Sequence, residues 1–301
     1  MRSKIEEVGI HFSKRRTYRQ KYLFLNRLIG QLKGTGCETD MIEKQSKTGR
    51  SNHLVIGDLK KKKVIIAAAY DTGSKMLNPF YTYTPLDSRH NYKEEMRNAA
   101  AYSILTIGLV ALAVFFTRWG FQGAIFHKTT AVLFDLIAVL LVFRWMKRPD
   151  NKFNINRNSG AIAVMYESIE KTGKGCYVFL DNSVMSNQGY YEFSEAVQDQ
   201  QVIVLDCIAR GEEMFLAYQA GMEKMAQKIA DAFEMSIHLL PLNEKQYANT
   251  PMAGLKSGFM LTSGRLSGGV VCVKQVRNSS DVNIDLDQLE KVEKGIEALF
   301  L

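Results

Sequence analysis

Histidine and cysteine, the residues that most often hold transition metals, are scarce in this 301-residue chain: five of the first and four of the second. Cys37, Cys176, Cys207 and Cys272 are widely spaced and form no CxxC pair. That argues against a zinc knuckle or a disulfide framework and for reduced, buried thiols. His11, His53, His90, His127 and His238 fall in a terminal helix, an edge strand, a linker, a turn and a late strand, and none shares a motif with a Cys or Ser nucleophile. No Gly-x-Ser-x-Gly elbow occurs. Internal repeats and low-complexity segments are absent too, so the chain reads as globular. With 46% hydrophobic and 23% charged residues it can bury one large core or two modest ones.

What is present is a formal charge of +8, concentrated in "SKRRTYRQK", "KKKK" and "RWMKRPDNK". No helix-turn-helix, zinc-finger or RNP-like stretch accompanies it, so no nucleic-acid partner is expected, and an anionic lipid surface fits better. Two apolar segments, residues 99–116 and 124–145, are each about long enough to cross a bilayer. The alternative is a pair of buried core helices. Trp119 and Trp145 stand where interfacial aromatics belong, and Lys and Arg cluster outside the hairpin, whereas its turn carries only Arg118 and Lys128. The expectation is a cell-membrane protein with two spans and a cytoplasmic body, without a signal peptide because residues 1–30 lack an apolar run.

Along the chain, a helix is predicted over 3–33 with Tyr18, Leu25, Leu28 and Ile29 on one face. Strands follow over 37–45 and 51–59, then a lysine turn at 60–63 and an apolar strand over 64–71. After the hairpin, helices are expected over 159–171, 189–198 and 221–233. Strands are expected over 175–182 and 201–209, an edge strand over 212–218 and a late strand over 268–276. A closing helix over 285–301 has Asp285 as cap and Leu289, Val292, Ile296 and Leu299 as its buried stripe. Apolar strands alternating with helices imply an α/β sheet covered on both faces.

The order of motifs resembles metallopeptidase family 28, the zinc exopeptidases that include bacterial leucyl aminopeptidases. The residues carrying the resemblance are "AAYDT" at 68–72, "NINRNSG" at 154–160, "FLDNSVMSNQGYYEF" at 179–193, "VLDCIARG" at 204–211 and the last helix. The resemblance implies a zinc-exopeptidase-like α/β fold, a mixed, mostly parallel sheet between helices, interrupted by the two-helix transmembrane hairpin. Residues 1–92 and 149–301 would form one peptidase-like domain, with 93–148 inserted.

It also implies a dinuclear zinc site, and here the sequence departs from the pattern. The first ligand position holds Ala69, the bridging carboxylate becomes Asn156 without a gap or Arg157 with one, and the general base becomes Ser183. Its neighbouring ligand becomes Val184, the last histidine falls near Phe259, and Asp206 alone survives as a ligand. Ala, Val and Phe cannot coordinate zinc, so no metal or cofactor is expected although the family carries zinc. Asp71 would orient the first histidine in the family and here has none to orient. The expected function is a catalytically inactive, membrane-anchored peptidase-like protein acting as a binding, scaffold or regulatory subunit. Alternatives are a hydrolase with an altered single-metal or metal-free site around Asp71, Asp206 and Cys207, and a body that regulates a transporter or another membrane peptidase through the hairpin. Asp135, inside the second span, invites a membrane-protein partner, because Ser103 and Thr106 offer it only weak hydrogen bonds within the hairpin. A peptide in the old cleft and self-association through Gly108 and its neighbouring alanines complete the expected partners.

Overall fold

The computed structural model describes residues 1–46 and 49–300; Lys47, Thr48 and Leu301, the last residue of the expected closing helix, lie outside it. The chain begins with α1 (Arg2–Glu6), a π-helical turn Glu7–His11, and α2 (Tyr18–Leu32). The single helix expected over 3–33 is therefore broken. Thr17 explains the restart, its side chain and that of Gln20 closing a capping box. Tyr18, expected on the buried face, is 62% exposed, because the inward stripe starts only at Phe24.

The strands β1 (Thr39–Ser46), β2 (Gly49–Ile56) and β3 (Val64–Ala69) follow, then the two-residue β4 (Thr82–Tyr83). Two long helices come next, α3 (Ser88–Phe121) and α4 (Ile125–Met146). The second half runs through a π turn Ile155–Ser159, α5 (Gly160–Thr172), β5 (Tyr177–Leu180), α6 (Gln188–Ser194), β6 (Gln201–Asp206), β7 (Glu213–Gln219) and α7 (Glu223–Ala230). It closes with β8 (His238–Leu242), α8 (Glu244–Tyr247), β9 (Gly258–Ser267), β10 (Val270–Lys274) and α9 (Leu286–Leu299).

Parallel pairing joins β5 to β3, β3 to β6 and β6 to β9, and antiparallel strands flank this centre. The order is β1-β2-β5-β3-β6-β9-β10-β4, with β7 on β9 and β8 outside β7. The α/β class and the mixed sheet with a parallel centre thus stand as read from the sequence. Two expectations about edges do not. The strand expected over 212–218 is β7 (Glu213–Gln219), which lies between β8 and β9, and the strand carrying His53 lies between β1 and β5. β3 explains why apolar runs mark the centre. Ile66 and Ala68 pack into a core with α2, α5 and α9, whereas Ile65 and Ala67 pack on the opposite face with Tyr190, Phe193 and Met252. Asp285 caps α9, accepting from Gln288 N–H at 3.0 Å, with Leu289, Val292 and Ile296 buried.

Helices α3 and α4 are each long and apolar enough to cross a membrane. Their flanks do not pack on the sheet: Ile104 is 71% and Leu140 71% exposed. His90, expected in a linker, lies in the first turn of α3, where its N–H is capped by Asp87 at 2.8 Å. The root of α3 is pinned to the body. Asn98 donates to Lys75 O and accepts from Leu77 N–H, the Tyr102 hydroxyl donates to Lys75 O, and Glu95 pairs with Arg277.

Candidate functional site

Three neighbouring parallel strands end on aspartates: Asp71 follows β3, Asp181 follows β5 and Asp206 closes β6. All three are buried, at the carboxyl ends of strands where α/β sheets bind ligands. Each carboxylate has its own partner. Asp71 accepts from the backbone N–H groups of Ser183 at 2.9 Å and Val184 at 3.2 Å, and burial pushes its carboxyl above the ordinary range. Asp181 pairs with Lys21 at 2.5 Å and accepts from Asn52 N–H. Asp206 takes Arg157 Nη1 on one oxygen and the Tyr83 hydroxyl on the other, the latter at 2.6 Å.

The Arg157 guanidinium also lies over the Tyr83 ring, 4.1 Å from its centroid. Burial works against the Arg157 charge, but Asp206 foremost and then Tyr83 raise its pKa well above the ordinary value, so it stays protonated. Asp206 is pushed up by burial while Arg157 and the Tyr83 hydroxyl pull it down. A cation therefore sits against the carboxylate that the resemblance makes a metal ligand. Cys207, the next residue, is wholly buried, and burial followed by Asp206 raises its thiol well above the ordinary range. That opposes thiolate formation.

A cavity of about 330 Å³ opens here, lined by Tyr83, Arg157, Ser183 and Val184 on one side and by Ser88 and Glu95 of α3 on the other. The Ser183 hydroxyl donates to Asp181 O at 2.9 Å and so is turned from the opening. Ala69 pairs with Leu180 in the sheet. Gly189 makes the tight approach of α6 possible, because a Cβ there would overlap Asp181 O and Ser183 Oγ. Cys207 and Asn182, at the ends of β6 and β5, adopt left-handed backbone with φ of 54° and 49°, the kind of local strain that concentrates at such sites.

Two sequence-assigned positions do not join this group. Asn156 is turned away: its Oδ1 accepts from Ala209 and Arg210 N–H at 2.9 Å each, and its amide donates to Arg210 O. It lines a neighbouring groove of about 800 Å³ with Arg210 and Asp281, and Arg157 takes the cleft-facing place. Phe259 pairs with Ile203, three residues before Asp206 on β6, which is about 10 Å below the strand end. It is buried against Tyr218 in the core. Among the described residues, no three His, Cys, Asp or Glu side chains gather in a group that could hold a metal ion. The donor set does not fit a dinuclear zinc centre.

Residues that sequence reasoning missed include Tyr83, on a strand of only two residues, and Glu95 with Arg277. Another is His53, whose Nδ1 accepts from Asp181 N–H at 3.1 Å while Nε2 meets Glu192 at 3.2 Å. Burial lowers the pKa of His53. In the hairpin, Ser103 and Thr106 bond back to carbonyls of their own helix, and it is Thr117 that donates to Asp135 Oδ2 at 2.6 Å. Asp135 Oδ1 has no partner among the described residues.

No protein-family pattern and no curated protein matches the sequence. Solved structures do match the fold. Tannerella forsythia glutaminyl cyclase superposes with a TM-score of 0.57 at 13% identity, over 99% of this chain and 96% of that one. A leucine aminopeptidase precursor from Bacteroides thetaiotaomicron gives 0.51 at 13% identity, over 99% and 96%. The Legionella pneumophila LapA aminopeptidase gives 0.55 at 10%, over 99% and 70%. The fold is that of these aminopeptidases and glutaminyl cyclases. The cyclase likeness was not anticipated from the sequence.

Proposed function

We propose that this chain is a membrane-anchored member of the aminopeptidase and glutaminyl cyclase fold whose cleft binds rather than hydrolyses. The observation that carries the reading is the buried contact of Arg157 with Asp206. A guanidinium in the centre of the cleft occupies with positive charge the space that a pair of dications needs. Alanine at 69 and valine at 184 offer no metal donor, so zinc is absent from the proposal. The altered-hydrolase alternative draws little support: Cys207 is buried with its thiol pushed up, and Asp71 is committed to two backbone N–H groups.

Anchoring is supported by the surface of the hairpin. Only 6% of the most apolar stretch of α3 and 11% of that of α4 are buried, whereas a soluble core helix would be mostly buried, and hydrocarbon is the solvent that such flanks suit. In this reading residues 93–148 are an insertion between the halves 1–92 and 149–301 of one cytoplasmic body. Asp135 and the apolar groove it lines with Val110, Ala113, Thr117 and Ala138 meet a partner membrane protein or a second copy, and the basic collar of Arg144, Lys147 and Arg148 faces anionic lipid. The test is elemental analysis of purified full-length protein together with assays on aminoacyl and N-terminal glutaminyl peptides. The expected result is substoichiometric zinc and manganese with no turnover. Two metal ions per chain, or release of amino acids, would sink the proposal.

A further inference from the structure

The cleft stands beside the membrane. Resting on the anchoring proposed above, the argument uses the helix itself as a ruler. The apolar part of α3 starts at Ala99, and at 1.5 Å per residue Glu95 lies only about 6 Å and Ser88 about 16 Å before it. The headgroup layer is itself roughly 5–7 Å thick on each side of the hydrocarbon core. Glu95 and Ser88 line the 330 Å³ cavity that also holds Arg157, so its Glu95 end reaches the headgroup layer while its Ser88 end lies in the water beyond. An independent feature agrees. The loop after β3 is tied to Asn98 and Tyr102 of α3 through Lys75 and Leu77, and it projects Phe80, 87% exposed, beside Tyr81 of the cavity wall. On the anchored reading, this exposed ring would be an apolar contact for the membrane surface.

Inside the cavity wall, two charged side chains of opposite sign keep one atom unpaired. Arg157 spends Nη1 on Asp206, and its Nε is buried without a partner among the described residues. Glu95 spends Oε1 on Arg277, and its Oε2 is likewise buried without a partner among them. Buried polar atoms without partners are rare in native structures and mark places where a ligand or water belongs. The pair asks for one molecule with an acceptor anion for the Arg157 N–H and a donor cation for the Glu95 carboxylate.

From this we infer that the cavity is a headgroup site for a phospholipid carrying a primary ammonium, the phosphate accepting from Arg157 and the ammonium donating to Glu95. Phosphatidylethanolamine has both groups. Phosphatidylcholine has a cation with no N–H to donate, and phosphatidylglycerol has no cation. The body would then read the composition of the leaflet that anchors it.

The experiment reconstitutes the full chain in nanodiscs of equal parts phosphatidylethanolamine, phosphatidylcholine and phosphatidylglycerol and counts retained lipids by native mass spectrometry. The wild-type chain is expected to keep one phosphatidylethanolamine at least tenfold over either other lipid. Arg157→Met should lose this selectivity. Because that change also strips Asp206 of its partner, Ser186→Trp serves as a second variant. Ser186 is exposed on the cavity lining, so the indole blocks the mouth without touching a buried pair; it gives up one surface hydrogen bond to Asn182 O, so melting should fall by no more than a few degrees while retention falls at least tenfold. Equal retention of all three lipids, a preference for phosphatidylglycerol, retention unmoved by Ser186→Trp, or a cytosolic peptide co-purifying in place of lipid would overturn the inference. Carbonate washing of membranes separates the two levels. A chain that stays in the pellet but shows no selectivity defeats the headgroup site alone, and a chain that washes off defeats the anchoring and the site together.

Discussion

Replacing Arg157 with methionine tests whether the ion pair holds the cleft in its present form. Asp206 is 1% exposed, and without Arg157 the Tyr83 hydroxyl is its one remaining side-chain donor from another element. Removing one member of a buried pair costs about 3–5 kcal/mol. For a body of this size each kcal/mol moves the melting temperature by about 2–4 °C, so Arg157→Met should melt roughly 6–20 °C below wild type. The Arg157→Met/Asp206→Leu double variant strands no charge and leaves only the Tyr83 hydroxyl unpaired, at about 1–3 kcal/mol. It should therefore be more stable than Arg157→Met, with a coupling of about 2 kcal/mol or more. Burial already raises the Asp206 carboxyl. A carboxyl raised in the folded state contributes stability below its unfolded pKa and loses it as pH rises through the folded value. The Arg157→Met deficit should accordingly be smaller at pH 5 than at pH 8. Intrinsic fluorescence of detergent-solubilised protein during heating measures all of this. Additive losses in the double variant, or a single variant melting within about 2 °C of wild type, would refute the reasoning.

Gly189→Ala should prevent the loop at 181–189 from closing, since the added methyl overlaps Asp181 O and Ser183 Oγ; loss of cooperative melting is the expected readout, and a normal melt would contradict the close approach. Burial raises the Asp281 carboxyl to about 7 despite N–H bonds from Asn156 and Arg277, so its contribution is complete below about pH 4 and fades as pH rises through 7. Wild-type protein should lose more stability between pH 5 and 8 than Asp281→Asn, as followed by urea midpoints. In the hairpin, Thr117→Val leaves Asp135 with no partner among the described residues and should lower the melting temperature in micelles. Adding Asp135→Leu to it should restore stability, and a Thr117→Val protein indistinguishable from wild type would show the contact to be idle.

Much of the sheet was legible because its central strands are apolar on both faces, as in "VIIAAA" and "QVIVLD", and the helices between them carry clear stripes. β9 was not read as a strand, since "GFMLTSGRLS" mixes glycine, serine and arginine, and only its pairing with β6, β7 and β10 makes it one. β7 looked like an edge because β9, which covers it, was missing from the reading. The break in the first helix follows from Arg15, whose buried guanidinium bonds Val8 O, Phe12 O and Tyr70 O, a long-range arrangement that no local pattern reveals. In the cleft, Asp71, Ser183, Val184 and Asp206 were found through the order of motifs. Tyr83, Glu95 and Arg277 were not: Tyr83 and Arg277 come from a two-residue strand and a loop, and Glu95 sits on α3 among polar residues whose partners are set by tertiary packing.

The π turn at Ile155–Ser159 gives the cleft an unusual economy of change. Adjacent residues there face different openings, Asn156 the larger groove and Arg157 the smaller cavity. A π turn holds one residue more than an α turn, so trimming a single codon from it would swing the preceding side chains by about 100° relative to α5. A neutral amide would then present itself to Asp206 in place of a guanidinium. The charge that greets an incoming molecule is thus tied to chain length at one bend, the same bend whose Asn158 and Ser159 hold the buried Arg15.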